Sequence, residues 1–234
     1  MKKGLIITID GPSGAGKSTL SRLLAKKLGY ISMDTGAMYR AVAVAAERHG
    51  IGPDDATGLK ALCDGLEIRF ERDGQGEKVL LNGEDVSQAI RTPEMSLLSS
   101  AVSACREVRV AMVRLQREMG AEGGYVLEGR DTGTAVFPDA DLKFFLLATP
   151  EERGRRRFLE LTAKGEKVDL QRTIEEMAAR DKADSEREHS PLVRAEDAVA
   201  VDTTGLSIDE VLDKMLNIVC SNPAFRSLPT EPVR

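Results

Sequence analysis

Short apolar runs alternate along the chain with segments in which apolar residues recur every three or four positions. Runs of the first kind are typical of strands buried on both faces, and the second pattern is typical of helices that cover a sheet. Five runs predict strands: Leu5–Asp10, Tyr30–Met33, Tyr125–Glu128, Leu142–Leu147 and Ala198–Asp202. The alternation therefore predicts an α/β fold, in which a five-stranded parallel sheet lies between two layers of helices.

Two of the predicted helices carry clear start signals. Thr149 precedes Pro150, which is favoured at a first helical position, and Ser207 stands three residues before Glu210 in a capping-box pattern. The apolar spacing predicts further helices over Gly36–His49 and Arg106–Met119.

One region breaks the parallel pattern because polar and apolar residues alternate within it. Three short segments show this period of two: Leu66–Phe70, Lys78–Leu81 and the residues around Asp85. Turn-forming residues at 73–76 and 82–83 separate them. The sequence predicts a small antiparallel β meander, inserted into the otherwise parallel protein.

A charged helical segment and the chain end complete the domain prediction. The segment of about 151–169 is rich in charge and ends in a loose Lys-Gly-Glu-Lys run, which favours a mobile helical lid. Residues 221–234 contain three prolines and show no periodicity, so a poorly ordered tail is expected there. One domain over residues 1–220 accounts for the rest.

Composition narrows the classes of partner. The formal net charge is −5 and the pI is about 5.3, which provides no overall basic field for polymeric nucleic acid or for a membrane surface. The three cysteines are widely spaced and suggest neither a disulfide framework nor a zinc site. With no signal-peptide pattern and no long apolar stretch, we expect a cytoplasmic protein.

The candidate chemistry begins with a phosphate loop, Gly11–Ser18, which matches G-x-x-x-x-G-K-[ST] between a predicted strand and a predicted helix. Its backbone N–H groups would bind phosphate oxygens, Lys17 would neutralise the β- and γ-phosphates, and Ser18 would bind Mg²⁺. The alternative is a glycine-rich turn that only caps a helix. The predicted ATP-binding residues of this segment are Gly11, Pro12, Ser13, Gly14, Ala15, Gly16, Lys17, Ser18 and Thr19.

Four arginines crowd the lid segment: Arg153, Arg155, Arg156 and Arg157. They could form a solvated helix face paired with nearby glutamates, or they could neutralise phosphate charge and exclude water when a lid closes over ATP. Spacing alone does not rank the four, and Arg157 is the one predicted to contact ATP and to act in catalysis.

A second set of charged residues follows the carboxyl ends of two predicted strands. Asp34–Gly36 and Gly129–Asp131 occupy such positions, where ligands bind in open α/β sheets. Arg40, Arg109, Arg130, Arg180 and Arg187 are the accompanying arginines. An acceptor that carries a monophosphate needs bidentate arginine partners, whereas water or an alcohol does not, so the pattern favours a kinase of small phosphorylated acceptors.

The motifs resemble those of the bacterial cytidylate kinases, within the lid-bearing nucleoside monophosphate kinases. Besides the phosphate loop, they are Asp34–Arg40, Gly83–Ser87, Ile90–Thr92, Gly129–Thr134, Val136–Ala140, Arg180-Asp181 and Ser190–Leu192. The resemblance implies transfer of the γ-phosphoryl group of ATP to CMP or dCMP, with Mg²⁺, by a monomer with small-molecule substrates. It also implies a nucleoside-monophosphate-binding insert at about 36–90.

The resemblance further assigns the acceptor site. It implies that Ser100, Arg109 and Asp131 contact the cytosine edge, and that Arg180 and Asp184 hold the sugar. The residues implied to face the acceptor phosphate are Tyr39, Arg40, Arg130 and Arg187, with Thr35 beside them. Arg130 and Arg187, together with Lys17 and Arg157, form the implied catalytic set. Position 35 is Thr where some relatives have Ser, and position 18 is Ser where some have Gly.

Three alternatives stay open. Asp34-Thr-Gly and Asp131-Thr-Gly repeat the triplet of aspartic proteases, which place two carboxylates around one proton. A GTP-binding switch would need an Asn-Lys-x-Asp segment, which the sequence lacks. UMP or another small anion could be the acceptor instead of CMP. Neither His49 nor His189 has a Ser or Cys partner at a recognisable spacing, so no catalytic histidine is expected.

Overall fold

The computed structural model of the chain describes residues 4–73 and 76–227, without the side chains of residues 72, 73, 76, 77 and 93. The chain divides into two compact units. The core unit comprises Met1–Met33 with Gly120–Arg234, and the insert unit comprises Asp34–Met119. The insert predicted at about 36–90 lies within the second unit, which also includes the following helices.

The described residues form eight strands and nine α-helices. The strands are β1 Ile6–Asp10, β2 Ile31–Asp34, β3 Ile68–Asp73, β4 Gly76–Leu81, β5 Glu84–Asp85, β6 Tyr125–Gly129, β7 Leu142–Leu147 and β8 Val199–Asp202. The helices are α1 Lys17–Leu28, α2 Thr35–Arg48, α3 Ala56–Asp64, α4 Pro93–Val102, α5 Arg106–Gly120, α6 Pro150–Ala163, α7 Leu170–Glu186, α8 Ile208–Ser221 and α9 Pro223–Arg226. A 3₁₀ turn covers Ala89–Arg91, and a π-helical turn covers Thr132–Val136.

The core unit is built on a five-stranded parallel sheet in the order β2-β6-β1-β7-β8. Central strand β1 pairs in parallel with β6 and with β7, and β8 pairs in parallel with β7. The predicted α/β class and the five predicted strands are therefore confirmed, with strand bounds that move by one residue at four of the five. Because all five strands run the same way, their carboxyl ends meet at one edge of the sheet.

Apolar side chains fill the space between the sheet and its helices. Ile7, Ile9 and Phe144 of the central strands are at most 1% exposed, as are Leu20 of α1 and Met215 of α8. These residues belong to one cluster of the core unit. Strands covered on both faces favour apolar residues at most positions, which explains the short apolar runs in the sequence. Thr8 and Lys143 are buried polar exceptions within them.

The predicted helix starts are present. Thr149 Oγ1 accepts from the Glu152 N–H at 3.3 Å, with Pro150 in the first turn of α6. Ser207 and Glu210 form the predicted capping box at the start of α8, in which each side chain accepts from the other residue's N–H. Both caps satisfy N–H groups that have no partner inside the helix.

The insert unit contains a three-stranded antiparallel sheet in the order β3-β4-β5. Ile68 pairs with Leu81 and Leu81 with Glu84, as the alternating sequence predicts. Asn82 and Gly83 form the second turn with φ values of 50° and 83°, which Asn-Gly tolerates better than other pairs do. The first predicted turn includes residues 74 and 75, which lie outside the described residues.

The segment after residue 220 differs from its expectation. A poorly ordered tail was expected from residue 221, but Pro223–Arg226 form α9 and Phe225 packs against the core cluster. Asn222 explains the helix, since its Oδ1 accepts from the Ala224 N–H at 2.8 Å and its amide donates to the Asp141 carbonyl. Residues 228–234 lie outside the described part. Among the described helices, none is long and apolar enough to cross a membrane.

Candidate active site

The phosphate loop connects the carboxyl end of β1 to the start of α1, as its sequence predicts. Gly14 has a φ of 73° and Gly16 has a φ of 93°, which are conformations that other residues adopt only with strain. Gly16 stands at the N-cap of α1. The loop thus presents the N-terminus of a helix, with its unpaired N–H groups, at the carboxyl edge of the parallel sheet.

Lys17 is buried at 7% exposure inside this loop. Its Nζ donates to the Pro12 carbonyl at 2.6 Å. Burial, and secondly the positive charge of Arg130, lower the pKa of Lys17 to about 7. Glu128, Asp181 and Asp10 act in the opposite direction without offsetting the burial, and the phosphates of a nucleotide would add further negative charge.

Ser18, the predicted Mg²⁺ ligand, contacts a carboxylate that the motif search does not identify. Its hydroxyl donates to Glu128 Oε2 at 2.8 Å. Glu128 is 4% exposed and lies in β6 opposite Ile9 of β1. A buried glutamate near the end of a central strand is a recognisable signal, because apolar residues fill the neighbouring positions. Hydroxyl and carboxylate oxygens are ligands that Mg²⁺ accepts.

Asp10 fixes the loop that carries Arg130 and Asp131. Its Oδ1 accepts from the Thr132 N–H at 2.9 Å and from the Thr132 hydroxyl at 2.8 Å, and its Oδ2 accepts from the Gly133 N–H at 2.7 Å. Burial raises the pKa of Asp10 in spite of these bonds, which act in the opposite direction. Asp10 is the last residue of β1, immediately before the phosphate loop. Its carboxylate therefore links the start of that loop to the segment that follows β6.

Arg130, just after β6, bonds to side chains of two other segments. Its Nε donates to Asp184 Oδ2 at 2.8 Å, and its Nη2 donates to Ser13 Oγ of the phosphate loop at 2.7 Å. The ion pair is largely buried, with side-chain exposures of 18% and 9%. The arginine predicted to bind the acceptor therefore directly contacts the loop predicted to bind the donor.

Arg187 completes this cluster from the C-terminal end of α7. Its Nη2 lies 3.5 Å from Asp131 Oδ1 and its Nη1 lies 3.9 Å from Asp184 Oδ1. Its Nε donates to the Ser190 carbonyl at 2.6 Å. The core unit thus brings together two largely buried arginines, Arg130 and Arg187, and two buried carboxylates, Asp131 and Asp184. Arg180, half-buried, lies on α7 one turn before Asp184.

The four lid arginines have different surroundings. Arg153 is 7% exposed and its Nη1 donates to the Ser13 carbonyl at 3.0 Å. Arg156 donates to the hydroxyl and the carbonyl of Thr203. Arg155 pairs with Glu152, and Arg157 pairs with Glu160 at 2.9 Å along the surface of α6. Arg153 and Arg156 therefore contact other elements, whereas Arg155 and Arg157 pair with glutamates of their own helix.

The insert unit holds the other predicted acceptor residues. Asp34 caps α2 by accepting from the Ala37 N–H at 2.9 Å and also pairs with Arg40 at 2.9 Å. Arg109 is 3% exposed, and its guanidinium carbon lies 5.5 Å from the centre of the Tyr39 ring, a distance typical of a cation–π contact. Thr35 is buried, and Ser100 is half-buried on α4.

Comparison with known proteins identifies the family. A family model described as cytidylate kinase matches residues 7–221. The chain belongs to the cytidylate kinase family. It is 64% identical over 219 residues to the cytidylate kinase of Syntrophotalea carbinolica, covering 94% of this chain and 93% of the relative. It is 62% identical over 218 residues to that of Geobacter sulfurreducens, covering 93% of this chain and 94% of the relative.

A solved structure supports the fold alone. An uncharacterized protein from Eubacterium ventriosum superposes with a TM-score of 0.54 at 12% identity, covering 93% of this chain and 99% of that one. The resemblance to cytidylate kinases stated from the motifs is confirmed by the family match. Membership in that family also removes the aspartic protease and the GTP-binding switch as explanations of the Asp-Thr-Gly triplets and the phosphate loop.

Several contacting residues of this cytidylate kinase family member were not found from the sequence. Asp10, Glu128 and Asp181 are buried or nearly buried acids in contact with predicted site residues. Asp10 and Glu128 could have been found, since each is an acid at the end of an apolar strand. Among the described residues, no group of three or more His, Cys, Asp or Glu side chains forms a metal cluster, so a divalent ion would need phosphate oxygens or water as further ligands.

Proposed function

We propose that the protein transfers the γ-phosphoryl group of ATP to CMP or dCMP, giving ADP and the nucleoside diphosphate. The observation that carries this proposal is the buried cluster of two arginines and two carboxylates, which contacts the phosphate loop through Arg130 and Ser13. Guanidinium groups in this position suit an anionic acceptor next to a triphosphate. Membership in the cytidylate kinase family supports the identity of the acceptor.

The donor side rests on the phosphate loop. We propose that the loop N–H groups and Lys17 bind the ATP phosphates, and that Arg157 contacts ATP from the lid of about 151–169. Arg153 and Arg156 already bond to other elements, and of the two that remain Arg157 is less exposed than Arg155, at 33% against 57%.

Mg²⁺ fits the residues that are present. We propose that Ser18 binds the ion, and that Glu128 holds the Ser18 hydroxyl or accepts from a water on the ion. When bound with ATP, the ion would neutralise negative charge that builds up on the transferring phosphoryl group.

The proposed acceptor roles are those that the resemblance to the family implies. We propose that Arg130 and Arg187 bind the CMP phosphate, that Arg180 and Asp184 hold the sugar and that Asp131 accepts from the cytosine amino group. The proposed contributors of the insert unit are Thr35, Tyr39, Arg40, Ser100 and Arg109. The Tyr39–Arg109 stacking and the Asp34–Arg40 pair support the last group, because they hold the arginine side chains in fixed positions.

Catalysis would need no general base. The attacking oxygen of CMP is already an anion, so alignment and charge neutralisation dominate the reaction. Lys17, Arg130, Arg157 and Arg187 are the proposed catalytic cations. The Nδ1 of His49 already contacts the Ala45 carbonyl at the end of α2, which agrees with a capping role. We further propose a cytoplasmic monomer, since one chain carries both donor and acceptor residues.

Steady-state assays test the function. ADP release with Mg-ATP is measured against CMP, dCMP, UMP, AMP and GMP, in the presence and absence of EDTA. We expect CMP or dCMP to have a kcat/KM at least about 100-fold above that of UMP, as one unpaired buried polar group costs about 1–3 kcal/mol and the base presents more than one. Equal turnover of UMP and CMP would contradict base recognition by Asp131, and ADP release without any acceptor would indicate an ATPase.

A further inference from the structure

Ser13, the third residue of the phosphate loop, has all its polar groups bonded to charged side chains. Its N–H donates to Asp181 Oδ1 at 2.9 Å. Its carbonyl accepts from Arg153 Nη1 at 3.0 Å, and its hydroxyl accepts from Arg130 at 2.7 Å. Arg153 and Asp181 also pair with each other. The loop is therefore bonded to α6 through Arg153 and to α7 through Asp181.

The packing around this pair is equally close. A Cβ atom on Gly14 would lie 2.7 Å from Met177 Cε of α7 and 2.9 Å from the Arg153 carbonyl of α6. A Cβ atom on Gly154 would overlap Ile174 of α7. The loop thus packs directly against the Met177 side chain of α7 and the backbone of α6, and α6 packs directly against Ile174 of α7. Arg153 and Asp181 are 9% and 13% exposed there, so water screens their pairing only weakly.

We propose that Arg153 and Asp181 are positioning residues, which hold the first turn of the phosphate loop and thereby set its affinity for the donor triphosphate. The inference rests on the proposed function in that ATP is the donor. Because Asp181 occupies the Ser13 N–H, the N–H groups that bind phosphate begin at Gly14. Backbone donors bind an anion more tightly when they are already aligned, since no ordering is needed on binding.

The contacts of Ser13 explain why Arg153 and Asp181 should affect the binding of ATP rather than of CMP. Asp181 and Arg153 hold the main chain of the loop, whereas Arg130 contacts only the Ser13 side chain and otherwise bonds to Asp184 and the Gly129 carbonyl. Removing Asp181 frees the backbone on which the ATP site is built. It leaves the Arg130–Asp184 pair in place.

The test measures Mg-ATP binding to the full-length chain by calorimetry. We expect Asp181→Ala to weaken ATP binding by about tenfold and Asp181→Asn by about threefold, because an amide oxygen still accepts from the Ser13 N–H but no longer balances the Arg153 charge. The KM for CMP should change by less than about twofold, as its proposed contacts are not on this pair. Glu176→Gln is the matched control, since Glu176 also lies on α7 but forms an exposed pair with Arg172.

Hydrogen exchange of the Ser13 amide gives a second measurement. In the ATP-free protein we expect exchange to become at least about tenfold faster in Asp181→Asn, with unchanged exchange in the β1 strand. Arg153→Lys should restore part of the ATP affinity that Arg153→Ala loses, because lysine keeps the charge without the second bond.

Two outcomes overturn the inference. One is ATP affinity within about twofold of the wild type in Asp181→Ala, and the other is an equal loss of ATP and CMP affinity with general loss of protection. If Asp181→Ala does not fold, Asp181→Asn and its amide exchange decide. A wild-type chain that binds ATP but does not phosphorylate CMP contradicts the proposed function alone. ATP binding to the variants would still test the role of Arg153 and Asp181.

Discussion

Arginines occur in two kinds of surroundings in the core unit, at the sheet edge and on the outer surface of α6 and α7. At the edge, Arg130 pairs with Asp184 of α7 and Arg187 pairs with Asp131, which follows β6, and the two arginine side chains are 18% and 10% exposed. On the surface, Arg155 and Arg172 pair with glutamates three or four residues away. The pairs at the sheet edge join segments that are distant in the sequence, so the tertiary fold is needed to form them. The surface pairs lie within one helix, so helical spacing alone is enough.

Buried and exposed arginines differ in what the loss of their partner costs. A buried arginine whose partner is removed leaves an uncompensated charge, which is costly. An exposed pair at helical spacing contributes little, because water and salt screen it. Charge content alone therefore does not distinguish the two kinds of arginine, whereas the elements that each arginine contacts do so.

The largest effect is expected when the buried cation of the phosphate loop, Lys17, is removed. Lys17→Ala should lower kcat for CMP phosphorylation by at least about 1000-fold, because preorganised positive charge at the transferring group is lost. The measurement is single-turnover ADP formation at saturating ATP and CMP. Circular dichroism of the variant should match that of the wild type, and a decrease of less than about tenfold would contradict the role.

Arg130→Ala tests the sheet-edge cluster itself. We expect the KM for CMP to rise by about 100-fold, since a bidentate contact to the acceptor phosphate is lost, while the dissociation constant for ATP changes by less than about threefold. Initial rates over a CMP series and calorimetry with Mg-ATP measure the two quantities. Loss of ATP binding with unchanged use of CMP would reverse the assignment.

Asp131→Asn sharpens the comparison at the level of the base. The amide can donate to the oxygen of uracil, whereas the carboxylate can only accept, so the ratio of kcat/KM for CMP to that for UMP should fall by about tenfold. The ratio is the relevant quantity, because the nearby Arg187 pairs with Asp131 and the change affects both substrates. An unchanged ratio would place base recognition elsewhere.

The pH dependence of ATP binding tests the state of Lys17. In the free protein its pKa is lowered to about 7, mainly by burial, and bound phosphates favour the ammonium form, so the pKa rises on binding. Binding should therefore take up a proton at pH 8 and much less at pH 6, which calorimetry in buffers of different ionisation enthalpy detects. Because the folded-state pKa lies below the unfolded value, the ATP-free protein should gain stability as pH rises from about 7 to 10.5.

Two variants control this measurement. Lys17→Arg should abolish the pH-dependent uptake, because a guanidinium stays protonated throughout. Arg130→Ala should reduce the uptake at pH 8, since it removes the second cause that lowers the pKa of Lys17. Proton uptake that is the same in all three proteins would mean that another group titrates.

The smallest effect is expected on the outer surface. Arg172→Ala removes an exposed pair with Glu176, and it should leave kcat, KM and the midpoint of thermal unfolding nearly unchanged. Steady-state kinetics and differential scanning calorimetry check this beside Arg130→Ala. A large loss of activity in Arg172→Ala would remove the distinction between the two sets of arginines.

The sequence predicts the parts of this molecule in which local pattern and three-dimensional position coincide. The apolar runs predict the five strands, and Thr149 and Ser207 predict helix starts, because caps and periodicity act over a few residues. The phosphate loop is found for the same reason. The fold and family are confirmed, whereas the site assignments stay predictions.

Contacts between distant segments could not be predicted in the same way. The bonds of Asp181 to Ser13 and of Asp184 to Arg130 join residues separated by 168 and 54 positions, and no local pattern encodes such separations. The four lid arginines look alike in sequence and differ only through what lies beside them. The sequence did not predict the short helix at Pro223–Arg226, which Asn222 caps through a single local hydrogen bond.

The close approach of Gly14 and Gly154 to side chains of α7 has a consequence for mutational screens. Alanine scanning treats the methyl group as the least possible side chain, yet at these two positions it adds an atom where Met177 and Ile174 already lie. Such a screen skips glycines or scores them as mild. An alanine at Gly14 or Gly154 would instead force Met177 or Ile174 of α7 to move away from the phosphate loop or from α6.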